Sequence, residues 1–156
     1  MPRAATPCRS ILGTSVPSGL TINNAFARTT SIDRSKAFYR DVLGFEVAAE
    51  SDGSPTDPQV RTDPYQLYGG CVFQANGMLL GLRPVASAED RFDSDGVGLD
   101  HLSFAVDTKA ELYAAADRLT EAGVVHGEVI DMKQFDIAIL SFDDPDGIHL
   151  ELTAPL

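Results

Sequence analysis

Positive charge is scarce in this sequence: 12 Lys and Arg stand against 23 Asp and Glu, a formal charge of −11 at pH 7. That balance argues against nucleic acid as a partner, because phosphate contacts need clustered Lys and Arg. The acids are spread along the chain rather than run together, so they read first as solubilising charge and second as a field favouring cationic ligands. Cysteine is also sparse, with only Cys8 and Cys71. No disulfide framework follows from two such residues, one in an expected tail and one in an expected strand. Both read as free thiols of a reducing compartment, so the cytoplasm is the expected location. No apolar run approaches the roughly 20 residues of a spanning helix, and no membrane partner is expected. Residues 1–19 carry Arg3 and Arg9 but no acid, no continuous apolar stretch and no helical stripe. They read as a flexible extension rather than a targeting peptide.

What is present is an ordinary globular balance, 44% apolar and 22% charged over 156 residues, enough for one domain with a real core. The pattern repeats. Leu20–Thr29 reads as a strand. Ser31 is placed to cap a helix over residues 32–43, which carries Phe38, Tyr39, Val42 and Leu43 on one side and stops at Gly44. Phe45–Ala49 reads as a second strand, and the polar, Pro-containing stretch Ser51–Pro64 as a loop. Leu67–Ala75 and Met78–Arg83 flank Asn76-Gly77, a strong hairpin signal. The second half has the same order. Leu99–Val106 is an expected strand, and Thr108 with Glu111 forms a capping box. The helix that follows, over 108–122, buries Leu112, Ala115, Ala116 and Leu119 and ends at Gly123. Glu128–Met132 and Asp136–Phe142 are expected strands. The turn Asp144-Pro145-Asp146-Gly147 then leads into Ile148–Thr153. The acidic stretch Val85–Gly98 suits a linker. An internal duplication accounts for this order, with module one over 20–84, the linker over 85–98 and module two over 99–154.

Three segments carry a family resemblance. SIDRSKAFYRDVLGFEV (31–47), LDHLSFAV (99–106) and DPDGIHLEL (144–152) resemble the first helix and second strand, the fifth strand, and the last turn and strand of the vicinal oxygen chelate superfamily. That superfamily includes glyoxalase I, fosfomycin-resistance enzymes, bleomycin-resistance proteins and extradiol dioxygenases. The resemblance spans residues 20–154. It implies an α+β fold of two βαβββ modules, whose curved mixed sheets form a cup with the helices outside. It also implies a homodimer and a small-molecule ligand. It does not fix the chemistry, because one fold hosts many functions.

By the same resemblance, the metal-ligand positions fall on Asn24 in the first strand, Gly81 in the fourth, His101 in the fifth and Glu151 in the eighth. Strand alternation then sets their neighbours on the same faces. Phe26 and Arg28 accompany Asn24, and Leu79 and Arg83 accompany Gly81. Ser103 accompanies His101, while His149 and Thr153 accompany Glu151. Gly81 has no side chain to ligate, so a four-ligand site is not expected. A three-ligand set of Asn24, His101 and Glu151 stays open for Mn, Fe, Ni, Zn or Mg, and so does the absence of any metal. His149 is a second imidazole on the Glu151 face, or a structural one. Asp143, Asp144 and Asp146 lack the donor spacing of a calcium loop and read as turn residues.

Arg28 and Arg83 stand out. Both should share the ligand face, where a guanidinium can hold a carboxylate or phosphate bidentately. The alternatives are an internal ion pair with Glu151 or a solvent-exposed edge. Phe26, Leu79 and Tyr68 would supply apolar wall. Three functions follow from this set. The first is a metal-assisted enzyme of the glyoxalase or dioxygenase type, with lyase, isomerase or oxygenase chemistry on a small anionic, oxygen-bearing substrate. The second is a metal-free protein that sequesters an antibiotic, as bleomycin-resistance proteins do. The third is a metal-free enzyme using His101 and Glu151 as acid and base.

Overall fold

The computed structural model describes residues 21–156. Residues 1–20, with Cys8, the expected extension and the first residue of the expected strand Leu20–Thr29, lie outside that range. Two four-stranded mixed sheets make up the α+β fold. The first contains β1 (Asn24–Arg28), β2 (Glu46–Glu50), β3 (Cys71–Ala75) and β4 (Met78–Arg83), in the order β1-β4-β3-β2. The second contains β5 (His101–Ala105), β6 (Ile130–Met132), β7 (Ile137–Asp143) and β8 (His149–Pro155), in the order β5-β8-β7-β6. In each sheet the first strand pairs parallel with the last, and the other pairings are antiparallel. The repeated order of elements therefore becomes a repeated topology.

Local chemistry explains the boundaries. Asn76 and Gly77 both have positive φ, 41° and 89°, as a two-residue hairpin loop between right-twisted strands requires. Gly44 and Gly123 take φ of +79° and +70° just past the two helices. The second helix, α2 (Lys109–Glu121), begins where the Glu111 carboxylate accepts the Thr108 N–H at 2.7 Å. The first, α1 (Ile32–Ala37), widens into a π-helical turn over Phe38–Val42. Ser31 occupies the N-cap position of α1, but its side chain caps nothing. The Ser31 N–H is instead held by the Thr29 hydroxyl at 3.1 Å. Several strands are shorter than their sequence pattern. Leu67–Gly70 stays outside β3 because Tyr68 and Gly69 take left-handed backbone angles there.

One apolar core joins both halves. Phe38, Tyr39, Phe73, Leu80 and Leu82 pack in the same cluster as Leu112, Leu119, Leu140, Phe142 and Leu150. Phe38 meets Phe142 with ring centroids 6.3 Å apart, and Phe45 meets Phe104 at 5.2 Å. Cys71 is buried in this core, and burial pushes its thiol up to about 11, so it is inert at neutral pH. No helix among the described residues is long and apolar enough to cross a membrane.

A polar clasp reinforces the join. Asp146, in the β7–β8 turn, is 4% exposed. Its carboxylate accepts hydrogen bonds from the hydroxyls of Thr29 (2.6 Å), Thr30 (2.5 Å) and Ser35 (3.2 Å) and from the Thr30 N–H (3.2 Å). The Arg34 guanidinium adds a charged partner at 2.7 Å. Asp144 shapes the same turn by accepting the N–H groups of Asp146 and Ile148, and it also accepts the Tyr39 hydroxyl at 3.1 Å. These acids are turn residues, as their spacing implies, and they also bolt the second sheet to the start of α1.

Candidate functional site

Alternation holds in β1, β5 and β8, whereas in β4 Leu80, Gly81 and Leu82 are all buried and Arg83 is half-buried. In β1, Ala25 and Ala27 pack on the core while Asn24, Phe26 and Arg28 are exposed on the other face. In β5, Leu102 and Phe104 pack inward, and His101, Ser103 and Ala105 face out. In β8, Leu150, Leu152 and Ala154 are buried, which places His149, Glu151 and Thr153 on the open side. Each sheet therefore has one face sealed by the core and one open face bearing the polar candidates.

On the open face of the second sheet, His101 lies opposite His149, Ser103 opposite Glu151, and Glu151 opposite Ser141. The His101 Nε2 comes within 3.5 Å of a Glu151 carboxylate oxygen, and its Nδ1 within 2.6 Å of Asp100. A carboxylate can only accept, so Asp100 holds the proton on Nδ1 and fixes the ring. Its hydrogen bond raises the His101 pKa above the ordinary imidazole value, with a further push from the Glu151 charge. The expected His101–Glu151 approach is thus present, with Asp100 as a third member. Asp100 precedes the strand, so alternation does not send it to the opposite face, and its place beside the histidine was the available signal. His149 is paired with Asp143 at 2.9 Å, and its ring stands 6.0 Å from that of His101, edge to face.

The first sheet's open face has a different chemistry. Arg28 and Arg83 are direct neighbours across the parallel β1–β4 pair. Neither forms an ion pair with an acid among the described residues, and Glu151 engages His101 and Ser141 instead of an arginine. The Arg83 guanidinium stacks 4.2 Å above the Phe26 ring and 5.8 Å from the Tyr68 ring. Its Nε is buried without a hydrogen-bond partner. Phe26 also covers Gly81: a side-chain carbon placed there would lie 2.1 Å from the ring. The empty ligand position on the fourth strand is filled by a neighbour's aromatic ring. No hydrogen bond or ion pair among the described residues links Asn24, Arg28 or Arg83 to His101 or Glu151.

Together the fold and its faces define a duplicated βαβββ domain, with an arginine–aromatic surface on one sheet and an acid–imidazole cluster on the other. Residues 21–152 match the Glyoxalase/Bleomycin resistance protein/Dioxygenase superfamily, and the chain belongs to it. Solved structures share the fold. A glyoxylase/bleomycin resistance protein/dioxygenase domain from Frankia sp. EAN1pec is 24% identical, with a TM-score of 0.68 over 90% of this chain and 94% of that one. Lactoylglutathione lyase from Agrobacterium tumefaciens is 21% identical, with a TM-score of 0.62 over 88% and 95%. The genomically encoded fosfomycin resistance protein FosX of Listeria monocytogenes is 16% identical, with a TM-score of 0.60 over 90% and 96%. A search of curated proteins finds no match.

Members of this superfamily often use divalent metals. The described side chains do not complete a donor set for such an ion. Among the described residues no group of three or more His, Cys, Asp or Glu side chains converges on one point. Gly81 offers no donor and Phe26 fills its place, so a four-ligand set does not form, while His101 and His149 each hold Nδ1 on an aspartate and keep Nε2 as the nitrogen able to ligate.

Proposed function

We propose that this protein is a small-molecule enzyme of the superfamily whose substrate carries a negatively charged, oxygen-bearing group. Arg28 and Arg83 hold that group, and His101 with Glu151 moves the proton. One observation carries the reading. Two arginines lie side by side across β1 and β4 with no acid in an ion pair with either among the described residues, in a chain with 23 acids and 12 bases. Like charges directly opposite in a sheet are destabilising, and an anionic ligand would remove that penalty.

The cluster on the other sheet suits acid–base work. With Nδ1–H donated to Asp100, a neutral His101 would turn a lone pair toward the Glu151 carboxylate. The imidazolium turns an N–H there instead, which agrees with the raised pKa. Glu151 in this reading takes a proton from the carbon beside a carbonyl. His101 gives one to the carbonyl oxygen, which is the first half of an isomerisation or elimination. Ser103 and His149 flank the pair and contact the substrate. The functional unit in this reading is a homodimer, which would shield the open faces from bulk water.

The test is calorimetric titration of an acidic ligand and its neutral analogue against wild type and Arg28→Leu. The variant should weaken the acid by about 1.5–3 kcal/mol, the range for charged hydrogen bonds, and leave the neutral analogue nearly unchanged. Equal losses for both would mean that Arg28 shapes the surface rather than reading charge. Tight binding of a polycation instead would replace the enzyme reading with sequestration of the bleomycin-resistance kind.

A further inference from the structure

The segment between β2 and β3 folds back over the arginine face and is held there firmly. The Asp63 carboxylate accepts the N–H groups of Tyr65 and Leu67 at 2.9 and 2.8 Å, and Leu67 is buried. The Ser51 hydroxyl accepts the Gly69 N–H at 2.9 Å. Gly69 approaches the Gly53 backbone so closely that a side-chain carbon on it would lie 2.1 Å from the Gly53 carbonyl oxygen. Gln66 and Tyr68, neither of them glycine, take left-handed φ of 55° and 57°. Non-glycine residues in that region cost free energy and persist where the surroundings impose them. The imposed conformation aims Tyr68 at Arg83.

The result is a ladder of alternating cations and rings. The Arg61 guanidinium sits 4.8 Å from the Tyr68 ring, Tyr68 lies 5.8 Å from Arg83, and Arg83 lies 4.2 Å from Phe26. Two rings lie near the Arg83 guanidinium, and its buried Nε has no hydrogen-bond partner among the described residues. Arg28 stands beside it in register, and Arg61 spends its Nε on the Pro55 carbonyl at 2.7 Å. None of the three is paired with an acid among the described residues, although Asp and Glu outnumber Lys and Arg almost two to one. A single negative charge would leave two of the three cations uncompensated.

Building on the anion-binding reading above, we infer that this ladder is a site for a dianionic head group attached to a flat apolar body. A phosphate monoester carries close to two negative charges and three acceptor oxygens above its second pKa of about 6, and so matches two or three guanidinium groups. The rings of Phe26 and Tyr68 and the side chain of Leu79 provide apolar surface beside it. Tyr68 is a positioning residue, which acts by holding Arg83 and Arg61 in place. Arg61 sets specificity by reading the second charge.

Phenyl phosphate, phenyl sulfate and phenol make the test, because the two esters are close in shape and differ by one charge. Titration calorimetry at about pH 8, where the phosphate is a dianion, should show phenyl phosphate binding at least about tenfold tighter than phenyl sulfate, and phenol weakest. Arg61→Gln should collapse that ratio toward one while shifting phenyl sulfate by less than about twofold. Tyr68→Ala should also lower the ratio while weakening both esters, because it releases Arg83 as well as Arg61, and Tyr68→Phe should keep the ratio, since the ring rather than the hydroxyl makes the stack. Equal affinity for both esters, each lowered by Arg28→Leu, would overturn the dianion site and leave the anion-binding reading standing. If neither ester bound better than phenol, both readings would fall. A ratio unmoved by Arg61→Gln would also overturn the ladder's role in specificity.

Discussion

Replacing Asp146 with alanine would remove the one carboxylate that accepts five hydrogen bonds across the join between the two halves. Its donors differ in what they lose. The Arg34 guanidinium is about half exposed and regains water. The hydroxyls of Thr29 and Ser35 are buried but have each other as partners at 2.6 Å, and the Thr29 proton released by Asp146 can turn to the Ser31 carbonyl 3.1 Å away. The stranded groups are therefore fewer than the broken bonds. Because no charge is left buried, the scale is that of hydrogen bonds to a charged group and of donors left unsatisfied, about 1.5–3 kcal/mol. For a chain of this size each kcal/mol moves the midpoint by roughly 2–4 °C, so the expected loss is about 3–12 °C. Urea unfolding followed by circular dichroism would give the free energy from the midpoint at an unchanged slope. The acid limb offers a second check. Burial alone would raise the Asp146 pKa, but the bonds from Thr29 and Thr30 and the Arg34 charge hold it below the usual carboxylate value. A depressed native pKa stabilises above the unfolded value of about 3.9, and that stability is lost as pH falls through the native pKa. The wild type should therefore lose stability below about pH 4, and Asp146→Ala should lose less over the same window. A total cost under about 1 kcal/mol, the scale of an exposed ion pair, would refute the clasp.

Three other outcomes are expected. Gly81→Ala should destabilise by roughly 1–3 kcal/mol, because its new carbon meets the Phe26 ring, and Phe26→Ala should relieve most of that loss. Additive losses in the double variant would show that the two residues do not touch. A proton NMR titration should place His101 above the ordinary imidazole pKa, with Asp100→Asn lowering it more than Glu151→Gln does, because the Asp100 bond is the larger cause. An unchanged value in Asp100→Asn would remove Asp100 from the cluster. Metal analysis of protein purified without chelator, followed by titration with Mn, Fe, Ni and Zn, should show no stoichiometric uptake by His101 and Glu151. Uptake abolished by His101→Ala would mean that the donors rearrange to meet an ion.

Periodicity and turn chemistry were enough to read the two βαβββ halves from the residues, because helices, strands and tight turns answer to neighbours a few positions apart. Asn76-Gly77 needed positive φ at both positions, and Gly44 and Gly123 needed it after a helix, whatever packed around them. Alternation likewise put Asn24, Phe26 and Arg28, and His101 and Ser103, on open faces, since a half-buried strand has only two sides. Partners were a different matter. That Phe26 fills the space above Gly81, that Tyr68 reaches Arg83, and that Asp146 joins Thr29 from 117 residues away depend on how distant segments meet in space. Even Ser31, in a good capping position, makes no side-chain cap, while its own N–H is held by the Thr29 hydroxyl. Local sequence determines which face a side chain occupies, while the charge it meets there is decided when the two halves pack around one core.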